Sequence, residues 1–246
     1  LDTFLEQLRP LLPKKRTYRH GESLHYTGSR LDRRALARRA PINDLKVYRR
    51  REPVDSPDPR MFVTLVIDNS GSMQGEKIEE SKKTALFWGR ALKLMNVPFA
   101  IKYFDQEHAD LKRFDQDYDD PVQKIKPNLM RVLNAKGSWT DISAPLEEAF
   151  TEMQQMRTAH PDSFGAIFVI SDGDPNRGKV GPDLQAVIRK MQEEFVVMNF
   201  NLSHLENEVG NAHFYFGPKN VVNPRDFRQL PAESIRVLRT VLQDAF

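Results

Sequence analysis

The chain has 246 residues, 39% apolar and 29% charged, which supplies enough apolar surface for a real core and excludes disorder throughout. No run approaches the roughly 20 apolar residues of a membrane-crossing helix, and the absence of cysteine excludes disulfides and thiolate metal sites, leaving oxygen or imidazole ligands. The net charge is only +3, yet Lys14, Lys15, Arg16, Arg19, Arg30, Arg33, Arg34, Arg38, Arg39 and Arg49 to Arg51 crowd the front of the chain, a pattern that suits a solvated face, an acidic protein partner or a nucleic-acid-binding arm.

Residues 1–56 read as a basic N-terminal extension. A short amphipathic stretch at Leu1, Phe4, Leu5 and Leu8 is broken by Pro10 and Pro13, and basic, mostly irregular sequence follows. Leu1 to Pro13 lacks the basic, apolar and small-residue succession of a secretory signal, so the expected location is cytoplasmic. Pro53 to Pro59 reads as a turn or linker into a domain spanning 57–246.

From Met61 the pattern changes to strands alternating with helices. FVTLVI at 62–67 is a nearly continuous apolar run of the kind covered on both faces. A helix is predicted over about 76–96, with Ala85, Trp88, Leu92 and Met95 on one face. FAIKYF at 99–104 is the second strand, and an antiparallel edge strand is predicted over 111–114. Helices are predicted over about 121–133 and 142–157, followed by the strand AIFVIS at 166–171. A helix near 184–194 leads into the strand FVVMNF at 195–200; HFYFG at 213–217 is read as the last strand and about 232–243 as the final helix. The predicted fold class is α/β: a doubly wound, mostly parallel six-stranded open sheet with helices on both faces.

Ligands of such sheets collect beyond the carboxyl ends of the strands, near the point where strand order reverses. Asp68-Asn69-Ser70-Gly71-Ser72 follows the first strand, Asp172-Gly173-Asp174 follows the strand at 166–171, and Gly137 to Asp141 precedes a helix. If these loops converge, Asp68, Ser70, Ser72, Thr140 and Asp172 offer hard oxygen ligands suited to Mg²⁺ or Mn²⁺. Hydroxyls in place of many carboxylates would leave such a cation electron-poor and receptive to an anionic oxygen from outside.

These five residues, in the order Asp-x-Ser-x-Ser, Thr, Asp, resemble the metal-ion-dependent adhesion site of von Willebrand factor type A domains. The resemblance implies that the serines and the threonine bind the cation directly or through water, and that the aspartates ligate it or hold its waters. LVIDNSGSM at 65–73 and FVISDGDPN at 168–176 are similar to the A domain of the cobaltochelatase accessory subunit and to those of magnesium chelatase and midasin. In that group the A domain works beside an AAA+ ATPase. The implied function is non-catalytic: the cation grips an Asp or Glu of a partner protein, within a chelatase-like or remodelling complex. Asp174 departs from the small residue common at that place in the chelatase relatives.

Simpler readings stand beside these. Asp68 to Ser70 alone reads as a turn and helix cap, Asp141 as a cap for the helix beside it, and Pro175-Asn176 as a surface turn. Trp139 is read as a packing residue or a partner contact on the rim of the crevice, and Asn69 as a second partner-binding residue. The six histidines show no metal-ligand spacing, which argues against zinc. No Walker A sequence is present, so an ATPase would be a separate chain or segment. Two alternatives differ in class: a magnesium-dependent phosphoryl-transfer or hydrolytic enzyme, for which no base or nucleophile elbow is apparent, and nucleic-acid binding through the basic extension.

Overall fold

The computed structural model describes every residue except 13, 43, 45, 60, 138, 139, 162, 174, 225 and 246, together with all side chains but those of 14–19, 21–22, 40, 51–59 and 243–245. The chain divides into two compact units, one comprising 1–13 and 60–246 and the other 14–59. Helix α1, Asp2–Leu8, belongs to the larger unit: Phe4, Leu5 and Leu8 are buried, and the Phe4 ring lies 4.9 Å from Phe87 and 5.4 Å from Trp88.

The smaller unit is an antiparallel sheet of β1, Lys14–His25, β2, Arg30–Leu31, and β3, Tyr48–Pro59, with helix α2, Arg33–Arg39, between the last two. This corrects the expectation of irregular chain and of a linker at 53–59, since Pro53, Val54 and Asp55 pair with Tyr18, Thr17 and Arg16. Proline is tolerated because β2 pairs only with Tyr48 and Arg49, leaving one side of 50–59 without a neighbouring strand to which an N–H must be donated.

The larger unit has a six-stranded sheet. Its elements in chain order are β4, Met61–Asp68; α3, Glu76–Leu94; β5, Phe99–Phe104; β6, His108–Lys112; α4, Ile125–Val132; α5, Ser143–Ala159; β7, Phe164–Ser171; α6, Gly181–Gln192; β8, Val196–Asn201; α7, Glu206–Phe216; β9, Val221–Val222; and α8, Leu230–Ala245. The strand order is β6-β5-β4-β7-β8-β9, with every pair parallel except β5–β6. The fold is the doubly wound α/β sheet anticipated from the sequence.

Strand alternation splits the core between the two faces. On β4, Val63, Leu65 and Ile67 join the cluster under α1, α3, α4 and α8, while Phe62 and Val66 join the cluster under α5, α6 and α7. Trp88 of α3, 1% exposed, packs against Phe168 and Phe200 at 4.8 and 5.5 Å. The segment 213–217, expected as a strand, is instead the end of α7 and its cap. Ala212, Tyr215 and Phe216 are buried while Phe214 is exposed, a helical spacing, and Gly217 ends the helix at φ +81°. The sixth strand is instead Val221–Val222.

Candidate metal centre

Strand β4 lies at the reversal of strand order, with β5 on one side and β7 on the other, so its carboxyl end opens onto the crevice of the sheet. Asp68 is its last residue and is 1% exposed. Its Oδ1 accepts the backbone N–H of Ser70 at 2.8 Å, which folds the loop back on the carboxylate. The hydroxyls of Ser70 and Ser72 then lie 2.9 Å apart, with Ser70 buried and Ser72 exposed.

A second loop is clamped to the first. The Gly71 N–H donates to the Gly137 carbonyl at 2.7 Å, and a Cβ on Gly71 would meet that same oxygen at 2.7 Å. Thr140, 3% exposed, follows in this loop and lines a small enclosed cavity with Asp68 and Ser171. Its backbone is fixed from a third loop: the Thr140 N–H donates to Asn176 Oδ1 at 2.8 Å, and the N–H groups of Asn176 and Arg177 donate back to the Thr140 carbonyl at 3.1 Å. Asp141 lies one residue before the cap position Ile142 of α5, and its Oδ1 accepts from the backbone and hydroxyl of Ser143.

Asp172 follows β7 and is fully buried. Its Oδ2 accepts from Lys77 Nζ of α3 at 3.0 Å, and Lys77 also donates to Glu208 of α7 at 2.8 Å. Burial works against the charge on Lys77, but Glu208 and Asp172 outweigh it and raise its pKa. Gly173 turns the chain at φ +83°, where a Cβ would lie 2.9 Å from both Asn201 Nδ2 and the Glu208 carbonyl.

The site is short of positive charge and of donors. Asp68 Oδ2 and Asp172 Oδ1 are both buried without a hydrogen-bond partner. Burial, and then the neighbouring Asp172 carboxylate, push the Asp68 pKa up to about 7. Two buried carboxylates with unpartnered oxygens, beside two hydroxyls and a threonine, form a donor set that fits a hard divalent cation. Among the described residues no group of three or more His, Asp or Glu side chains is placed to hold a metal ion.

The pattern of the von Willebrand factor type A domain matches residues 63–232. The chain belongs to this family. Among solved structures, this A domain is similar to proximal thread matrix protein 1 of the mussel byssus, in a form whose metal-ion-dependent adhesion site is occupied by zinc: TM-score 0.55, 16% identity, covering 73% of this chain and 48% of that one. It is also similar to manganese-loaded TRAP protein of Plasmodium vivax, with TM-score 0.54, 18% identity and coverage of 72% of this chain and 73% of that one. At these identities the likeness is one of fold. The chain spans about half of the byssus protein's length. A comparison with curated proteins gives no match.

Asn69, expected to bind a partner, is instead 3% exposed: its Oδ1 accepts from the N–H groups of Asn134 and Ala135, and its Nδ2 donates to Asp105 at 3.1 Å. Its amide holds the two crevice loops together. Trp139, the other expected partner contact, and Asp174 lie outside the described residues. Asn176, in a predicted surface turn, is the clamp on Thr140, and Lys77 and Asp105 hold the crevice loops without any sequence signal of that role. Their partners lie 36 to 131 residues away in sequence, so no local pattern marks them. Among the described residues, no helix is long and apolar enough to cross a membrane.

Proposed function

We propose that this chain is a non-catalytic, divalent-metal-dependent protein-binding module in which Asp68, Ser70, Ser72, Thr140 and Asp172 hold one cation, Mg²⁺ or Mn²⁺. The observation that carries the reading is the pair of buried carboxylate oxygens, Asp68 Oδ2 and Asp172 Oδ1, that have no partner in a loop cluster lined with hydroxyls. An unpaired buried carboxylate is costly and a cation removes that cost. The metal-loaded A domains of similar fold support the same assignment.

When bound, the cation supplies a Lewis-acidic position for a carboxylate oxygen of a partner Asp or Glu. The chain's own residues do the rest. Asn69 and Gly71 fix the spacing of the first two loops, Asn176 fixes Thr140, and Lys77 holds Asp172 from the α3 side. Exposed Ser72 marks the side from which a partner approaches. The sequence likeness to A domains of the chelatase and midasin group supports a partner that is, or travels with, an AAA+ ATPase, in a cytoplasmic chelatase-like or remodelling assembly.

Calorimetric titration with Mg²⁺ and Mn²⁺ tests the reading. Wild type takes up one equivalent, whereas Asp68→Ala with Ser70→Ala takes up none while keeping its far-UV spectrum. Retention of an Asp-bearing or Glu-bearing partner then requires the ion and is lost with chelator. Equal uptake by wild type and the double variant, or none by either, removes the proposal.

A further inference from the structure

The metal reading leaves the basic unit unused. Residues 14–59 carry 13 Lys and Arg against 6 Asp and Glu. Within this unit lies an open recess of about 1090 Å³, walled by Arg30, Arg33, Arg34 and Arg49 with His20 and Leu31. Asp32 is the carboxylate among the lining residues, and its oxygens are already engaged. Oδ2 accepts from Arg49 Nε and Nη2 at 2.9 and 2.7 Å, and Oδ1 accepts the backbone N–H groups of Arg34 and Ala35 at 3.0 Å each.

Arg49 is therefore pinned, and Arg30 stands opposite it across the β2–β3 pair. Among the described residues no carboxylate pairs with the guanidinium of Arg30, Arg33 or Arg34. Guanidiniums crowded around one concavity without counter-ions repel one another and draw in an oxyanion from outside. His20 adds an Nδ1 that is buried and unpartnered at the same recess.

The shape selects among anions. The recess is open to solvent and its described lining is seven residues, room for a short segment rather than for a long tract. A duplex is instead held along grooves and by many successive phosphate contacts. No Phe, Tyr or Trp lines the recess among the described residues, so the large ring platforms on which successive unpaired bases stack are missing. Leu31, 41% exposed, supplies an apolar contact within the basic rim. We propose that the recess docks an acidic polypeptide segment of a partner protein, its carboxylates on Arg30, Arg33 and Arg34 and an apolar side chain against Leu31. Guanidinium forks bind carboxylates with two parallel hydrogen bonds, which gives the contact direction as well as charge.

The test uses the full chain in EDTA, so that it stands or falls independently of the metal centre. The probe is a fluorescein-labelled twelve-residue peptide of repeated Glu-Glu-Leu, read by anisotropy. Wild type binds it, with affinity falling as salt rises. Arg30→Glu with Arg33→Glu and Arg34→Glu weakens binding by about tenfold or more, while Lys83→Glu with Arg131→Glu and Arg239→Glu, equal in net charge, stays within about twofold. Should the first triple variant fail to fold, Arg33→Ala alone carries the test, with an expected loss of about threefold. Equal loss in both triples, no binding by wild type, or tighter binding of a labelled twelve-nucleotide oligothymidine than of the peptide overturns the proposal.

Discussion

At the scale of single residues, the charge state of Asp68 governs the site. Its pKa is raised to about 7, chiefly by burial and then by Asp172. A carboxyl whose folded pKa exceeds its unfolded value of 3.8 contributes stability that is complete below that value and is lost as pH rises through 7. Metal-free protein is therefore expected to melt at progressively lower temperature between pH 4 and pH 8, whereas the increase in Tm on adding Mg²⁺ grows over the same interval, because the ion takes the ionised form. Scanning fluorimetry across pH, with and without Mg²⁺, checks both trends; a Mg²⁺ shift that is flat with pH refutes the assignment. Asp68→Asn should stabilise the metal-free protein at pH 8 by about 1–3 kcal/mol and abolish the Mg²⁺ shift. Gly173 is a separate case. A side chain there is strained by φ +83° and meets Asn201 and Glu208, so Gly173→Ala is expected to cost about 1–3 kcal/mol in urea denaturation.

At the scale of elements, the crevice is three loops fastened by side-chain amides. Asn176→Ala removes one of the three bonds that fix the Thr140 backbone and leaves its N–H without that acceptor, and is expected to weaken Mg²⁺ binding by about tenfold in calorimetry at a cost of only about 1 kcal/mol in stability. Asn69→Ala leaves the N–H groups of Asn134 and Ala135 without their acceptor and should lower stability as well, by about 1–3 kcal/mol. The contrast between the two variants separates positioning from folding. The buried parallel strands were legible because each is an apolar run fixed by local composition, as with 62–67 and 99–104. The segment 213–217 was misread because Phe214, Tyr215 and Phe216 carry strong strand preference, while the helical burial of Ala212, Tyr215 and Phe216 is set by packing on β8 and β9. The oxygen-bearing loops were legible from their place after strands. The amide clamps were not, since Asn69 and Asn176 act on segments remote in sequence.

At the scale of the molecule, helix α1 is the first segment of the chain yet is built into the unit that carries the metal centre. Its Phe4, Leu5 and Leu8, with Leu12 beyond it, close the cluster around Phe87 and Trp88. Removing residues 1–13 exposes that surface and is expected to cost about 2–5 kcal/mol, measured as a lower urea midpoint with the remaining chain still cooperative. An unchanged midpoint would show that α1 contributes no packing energy. The basic segment at 14–59 escaped structural reading from the sequence because its pairing is antiparallel and long-range, joining Arg16 to Asp55 and His25 to Tyr48 across residues that show no alternation of apolar and polar side chains.

The large sheet places its shortest strands at its rims, five residues of β6 on one side and two of β9 on the other. A stray extended segment from another copy would find few free main-chain donors and acceptors there, and Asp110 and Lys112 sit on the longer rim. Fibril-like growth by strand addition is thus blunted at both borders of the large sheet.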